Sequence, residues 1–165
     1  MENQIAIIYR DGIALDIFGA GRYRLNKTTL PKLLTATRKI KGEKIQASCI
    51  FISKSQFRGL FGGRTQTNDL APLMFHGAYW FRIKNERIFI NDVVGNLKKF
   101  STRHVTDYMR SFINERIMDE MSHYDLQTVF TRLDETSLKT KANIKMSFER
   151  IGIELVDLKF KGIDT

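Results

Sequence analysis

Cysteine, proline and tryptophan are scarce in this chain: one, two and one among 165 residues. The lone Cys49 excludes an internal disulfide, which fits a reducing compartment. It stands in Ala47-Ser48-Cys49-Ile50-Phe51-Ile52 with no histidine and acid nearby in sequence to activate it. The expectation is a small buried apolar residue in a strand. Long hydrophobic runs are missing too. None approaches the ~20 residues of a spanning helix, and the N-terminus has no signal-peptide pattern.

Recognisable catalytic patterns are equally absent. His76, His104 and His123 lie on separate segments with no Cys or acidic partner at metal-ligand spacing, so they are expected at the surface or an interface. Gly19-Ala20-Gly21 lacks the third glycine of a dinucleotide fingerprint, and Gly59–Thr65 lacks the Lys-Ser/Thr ending of a phosphate loop. No Ser, Cys or Thr sits in a nucleophile-elbow pattern. The expectation is therefore no catalytic residue, no cofactor and no metal: not an enzyme.

What is present is a phenylalanine-rich core and an uneven charge. At 165 residues with 42% hydrophobic and 27% charged residues, the composition is that of one globular domain. The 12 phenylalanines mark the expected source of core volume. The net charge is +9, and eight of the basic residues fall in one stretch against the single acid Glu43. They are Arg22, Arg24, Lys27, Lys32, Arg38, Lys39, Lys41 and Lys44. Such a stretch attracts phosphates, whether of nucleic acid or of anionic lipid headgroups, or serves as a solvated face that keeps the protein dispersed.

The chain opens with Ile5-Ala6-Ile7-Ile8-Tyr9, the turn signal Asp11-Gly12 and a second run, Ile13–Phe18, which together read as a hairpin. Gly19 and Gly21 kink the second arm. A short helix starts near Thr28–Pro31, with Leu30, Leu33 and Leu34 on one face. A strand over 44–53, almost continuously apolar from Ala47 to Ile52, is expected to be buried on both faces. Residues 54–70 read as the least regular segment, a glycine-rich loop. Its Phe57, Leu60 and Phe61 either tuck onto the core, the favoured reading, or point to a lipid or partner.

Residues 72–84 form a strand in which Gly77 marks a bulge. A helix follows over 85–96, capped by Asn85 and ended by Gly95. The clearest helix spans 101–121, where Val105, Tyr108, Met109, Phe112, Ile113, Ile117 and Met121 make one stripe. A short helical piece over 125–133 leads into a longer helix to about Ile151, with Leu138, Ala142, Ile144, Phe148 and Ile151 as its apolar residues. Gly152 stops it, and a half-exposed strand closes the chain with Val156, Leu158 and Phe160 on its apolar side. The structural glycines are thus Gly12, Gly19, Gly21, Gly77, Gly95 and Gly152.

The order of these motifs resembles the SPFH superfamily (band 7, or prohibitin homology) of stomatins, prohibitins and flotillins. The matching pieces are Gln4–Ile8 leading to Gly12, Phe18-Gly19-Ala20-Gly21-Arg22-Tyr23, Gly77–Ile83, Ile88–Gly95, Tyr108–Ile113 and Ile151–Asp157. The passage Gly12–Tyr23 is similar to a string of the prokaryotic virion-core-protein-like subgroup. Two departures stand out: Ala20 takes the place of the usual proline, and Gly62-Gly63-Arg64-Thr65 that of the subgroup's Trp-Gly-Thr.

The resemblance implies an α+β fold, a mostly antiparallel, strongly curved sheet of about five or six strands with about four helices packed against it. It covers residues 1–165 as a single domain, ending where an SPFH domain ends, which fits excision from a longer protein. It also implies a non-catalytic scaffold that self-associates and organises lipids or membrane proteins, cytoplasmic and peripheral at the inner membrane face. The alternative is a basic nucleic-acid-binding module, which lacks a docking motif and interleaved aromatics.

Overall fold

The computed structural model describes residues 3–11, 13–26, 28–37, 47–96 and 101–165. Lys27, Arg38, Lys39, Lys41, Lys44 and Gly12 lie outside them. The fold is α+β, with six strands among the described residues in two three-stranded antiparallel sheets. The N-terminal sheet has the order β2 (Ile13–Phe18), β1 (Gln4–Arg10), β3 (Ser48–Ser53). The C-terminal sheet has the order β4 (Phe57–Gln66), β5 (Pro72–Ile83), β6 (Ile153–Asp164). Five α-helices accompany them: α1 (Pro31–Thr37), α2 (Glu86–Asp92), α3 (Thr102–Met121), α4 (Leu126–Thr131) and α5 (Leu133–Arg150).

The helices start where capping chemistry places them. Asn85, Ser101 and Asp125 each accept a backbone N–H of the first turn, from Ile88, His104 and Thr128. Pro31 opens α1 with its fixed φ. Val93, not Gly95, is the C-cap of α2; Gly95 lies in a 3-10 turn over Val94–Asn96. Gly152 ends α5 at φ +78°, and a Cβ there would stand 2.3 Å from the Asn85 carbonyl oxygen. That carbonyl accepts the Phe89 N–H, so α5, β6 and α2 meet at a point that admits no side chain.

The supposed loop over 54–70 is instead largely β4. Gly59 pairs with Tyr79, Phe61 with Gly77 and Gly63 with Phe75. Each large ring thus lies across from a glycine, and the glycines make room for it: a Cβ on Gly59 would stand 2.2 Å from the Tyr79 ring, and one on Gly77 2.3 Å from the Phe61 ring. The stretch is glycine-rich because its partner strand is aromatic-rich. Phe61 also meets Phe160 edge-on, with centroids 5.4 Å apart.

One hydrophobic core joins this sheet to α2, α3, α4 and α5 and to the inner face of the N-terminal sheet, where Ile7, Ala14 and Ile52 are buried. In α3 the expected stripe is buried at Val105, Met109, Ile113, Ile117 and Met121. In α5 the buried line runs Thr136, Thr140, Ile144, Phe148, whereas Leu138 is 69% exposed and Ala142 is exposed. The threonines enter the core because the Thr140 hydroxyl is satisfied by the Thr136 carbonyl at 2.8 Å.

Strand β6 departs from simple alternation. Its pairing with β5 skips a residue between Leu155 and Asp157 and another between Phe160 and Gly162. The first bulge puts Ile153 and Leu155 inward, leaves Val156 exposed, and returns Leu158 to the core. The second lies opposite His76 and Gly77, so the irregularity expected at Gly77 falls on the partner strand, with Lys161 the extra residue.

Strand β3 is not buried on both faces. It is an edge strand, with Phe51 68% exposed and Cys49 exposed. An apolar run by itself does not distinguish an edge strand from a central one, because sequence does not specify strand order.

Candidate functional site

Of the basic stretch, Arg22, Arg24 and Lys32 are described, and all three are exposed. None forms an ion pair with a described acid. The backbone that presents them is organised locally. Gly21 adopts φ +148°, beside the Tyr23 ring that packs on Phe18 at 4.9 Å. Gly19, by contrast, has only Tyr23 Oη near an added Cβ, at 3.9 Å. Asn26 Oδ1 accepts the N–H groups of Thr28 (2.9 Å) and Thr29 (3.0 Å), folding the chain into a turn before α1. Asp16, buried on β2, then receives the N–H of Leu33 at 2.9 Å and of Lys32 at 3.3 Å, which fixes the start of α1.

The second candidate segment is split by its strand geometry. Phe57 stacks on Phe81 with centroids 5.7 Å apart, and Phe61 is 4% exposed in the core. Leu60 points to the opposite face and is 56% exposed. Alternation therefore separates the three residues that the sequence grouped. The face that carries Leu60 also carries Arg58 and Arg64 from β4 and Met74, His76, Trp80 and Arg82 from β5. The Arg58 guanidinium stands 5.8 Å from the Trp80 ring centroid and Lys159 Nζ 5.9 Å from it.

The sequence model of the SPFH domain-Band 7 family matches residues 1–165. This chain belongs to that family. Members of the SPFH family are generally membrane-associated scaffolds that commonly oligomerise. No curated protein matches the sequence. Among the described residues, no helix is long and apolar enough to cross a membrane.

In this SPFH domain an open cleft of about 210 Å³ lies between the two sheets. Phe57, Phe81, Phe89 and Val105 line it with Thr102 and Thr106, and among the described residues no titratable side chain lines it. Perturbed groups lie elsewhere and have structural causes. Burial pushes the Tyr79 hydroxyl up to about 12. The Lys141 ammonium bonded to Asp157 holds that carboxyl below its usual range, and Arg82 does the same for Glu154. His104 Nδ1 contacts Ser101 Oγ and His123 Nδ1 the Asp119 carbonyl, while His76 is exposed on the outer face of the C-terminal sheet. Among the described residues, no group of three or more His, Cys, Asp or Glu could hold a metal ion.

Sequence reasoning missed the side chains that secure the SPFH domain's sheet edges. Arg87 donates from Nη1 to the Ala14 carbonyl (2.6 Å) and from Nη2 to the Leu15 carbonyl (3.0 Å), while Asn91 Oδ1 accepts the Ala14 N–H at 3.0 Å. Two residues of α2 thus stand where a further strand would pair with β2. On β4, Asn114 of α3 accepts the Gly62 N–H at 3.1 Å and donates to its carbonyl at 2.9 Å. Both arrangements block edge-to-edge pairing at these positions. No local motif marks them, because the partners are 52 to 77 residues apart.

Proposed function

We propose that this SPFH domain is a non-catalytic scaffold that self-associates and holds lipids or membrane proteins at the inner face of a membrane. The observation that carries the reading is the family match over the whole sequence. The basic stretch supplies an anionic-surface contact: Arg22, Arg24 and Lys32 are exposed with no described acidic partner, and Lys27, Arg38, Lys39, Lys41 and Lys44 extend the same charge along the chain. Anionic headgroups attract such a segment by about 1 kcal/mol per basic side chain near the surface.

The test is the molecular mass in solution, with and without anionic vesicles, for a 19.2 kDa chain. Multiples of that mass and co-flotation with the vesicles are expected. A monomer indifferent to vesicles overturns the reading. If it instead binds DNA with an affinity that falls steeply with salt, the function is nucleic-acid binding.

A further inference from the structure

We infer that the outer face of the C-terminal sheet is a docking surface for an anionic lipid bilayer. This rests on the membrane-scaffold reading and assigns to it a contact separate from the Arg22–Lys44 stretch. The face is built from strands of 10 and 12 residues, so it extends over roughly 33 Å at about 3.3 Å per residue. All three strands are described along their full length.

Its charge is unbalanced in a particular way. Glu154 is paired with Arg82, and Asp157 with Lys141 and Lys159. Asp164 lies at the end of β6, opposite Met74. Arg58 and Arg64 have no acidic partner among the described residues, and both are exposed. Between these cations stand exposed Leu60 and Met74, and Trp80 lies partly exposed among them. Unpaired arginines beside short apolar side chains and an indole suit the headgroup level of a membrane, where charge meets phosphate and the apolar groups reach the acyl boundary.

Two other occupants fit less well. A second copy docked face to face would bring together two faces that each carry the unpaired Arg58 and Arg64. A single-stranded nucleic acid needs successive open aromatic rings for stacking. Here Trp80 is the one aromatic residue on the face, and cations from both neighbouring strands already approach its ring.

The chain's single tryptophan lies on this face and reports on it. The full chain is mixed with phosphatidylcholine vesicles, with mixed phosphatidylcholine–phosphatidylserine vesicles, and with the mixed vesicles carrying brominated acyl chains. Binding to the mixed vesicles is expected, with a blue shift of Trp80 emission and quenching by bromine. The double substitution Arg58→Glu/Arg64→Glu should lower partitioning by about tenfold or more, and Leu60→Ser should reduce the quenching. All three sites are exposed, and an unchanged melting curve checks that the variants fold.

Binding that survives the double substitution, with Trp80 unquenched, overturns the assignment of this face. If that binding is lost on substituting Arg22, Arg24 and Lys32 by Glu, the membrane reading stands and its contact is the N-terminal stretch. No binding to either vesicle overturns both. Quenching of Trp80 by a single-stranded oligonucleotide without vesicle binding replaces the bilayer by nucleic acid.

Discussion

The two sheets have equal strand number and the same antiparallel pairing, yet they are held by different means. The C-terminal sheet has strands of 10 to 12 residues, and its inner face interleaves glycines with Phe61, Phe75 and Tyr79 over α3 and α5. The N-terminal sheet has strands of 6 or 7 residues and leaves Ile13, Phe51 and Ile17 exposed. It joins the core through Ile7, Ala14 and Ile52 and is fastened at one edge by Arg87 and Asn91. A sheet stabilised by close packing tolerates little change in its interior. One attached through a few polar contacts can loosen without unfolding the rest.

The largest expected effect breaks this comparison at its tightest point. Gly152→Val should destabilise the whole domain by about 3 kcal/mol or more, since it combines a positive φ with backbone contact, and chemical denaturation measures it. Next, Asn114→Ala leaves the Gly62 N–H and carbonyl without their partner and should cost about 2 kcal/mol in global stability. Arg87→Ala should instead release hydrogen-exchange protection in β1 and β2 with little change in melting temperature. Equal global losses for the two would show that the sheets unfold as one unit.

Smaller effects sharpen the same contrast. Gly21→Val should cost about 1 kcal/mol, because Gly21 holds φ +148°, which valine does not tolerate; a thermal melt decides this. Acid should loosen the C-terminal sheet through Asp157 and Glu154, whose carboxyls are held below their ordinary values of 3.8 and 4.5. Lowered folded-state values mean that this stabilisation is complete above those ordinary values and is lost as pH falls through the lowered ones. The effect is small, because both carboxylates are partly exposed and solvent screens their ion pairs. Hydrogen exchange along β6 between neutral and acidic pH is the measurement.

Much of the local structure was legible in the residues. The opening hairpin, the 101–121 helix and the Asn85 cap follow from periodicity and from side chains that bond their own backbone neighbourhood. Within the candidate sites, the exposure of Arg22, Arg24 and Lys32 follows from charge alone. The grouping of Phe57, Leu60 and Phe61 did not survive, because strand alternation sends Leu60 to the opposite face.

The sequence by itself determined where helices begin, which turns close, and the family to which the whole chain is matched. Only the tertiary structure decided that Phe57–Gln66 is a strand, that Cys49 lies exposed on an edge, and that Asn114 and Arg87 secure two sheets. The physical reason is range. Capping and periodicity act over a few residues, whereas the room that Gly59 makes for Tyr79 exists only once two strands lie side by side.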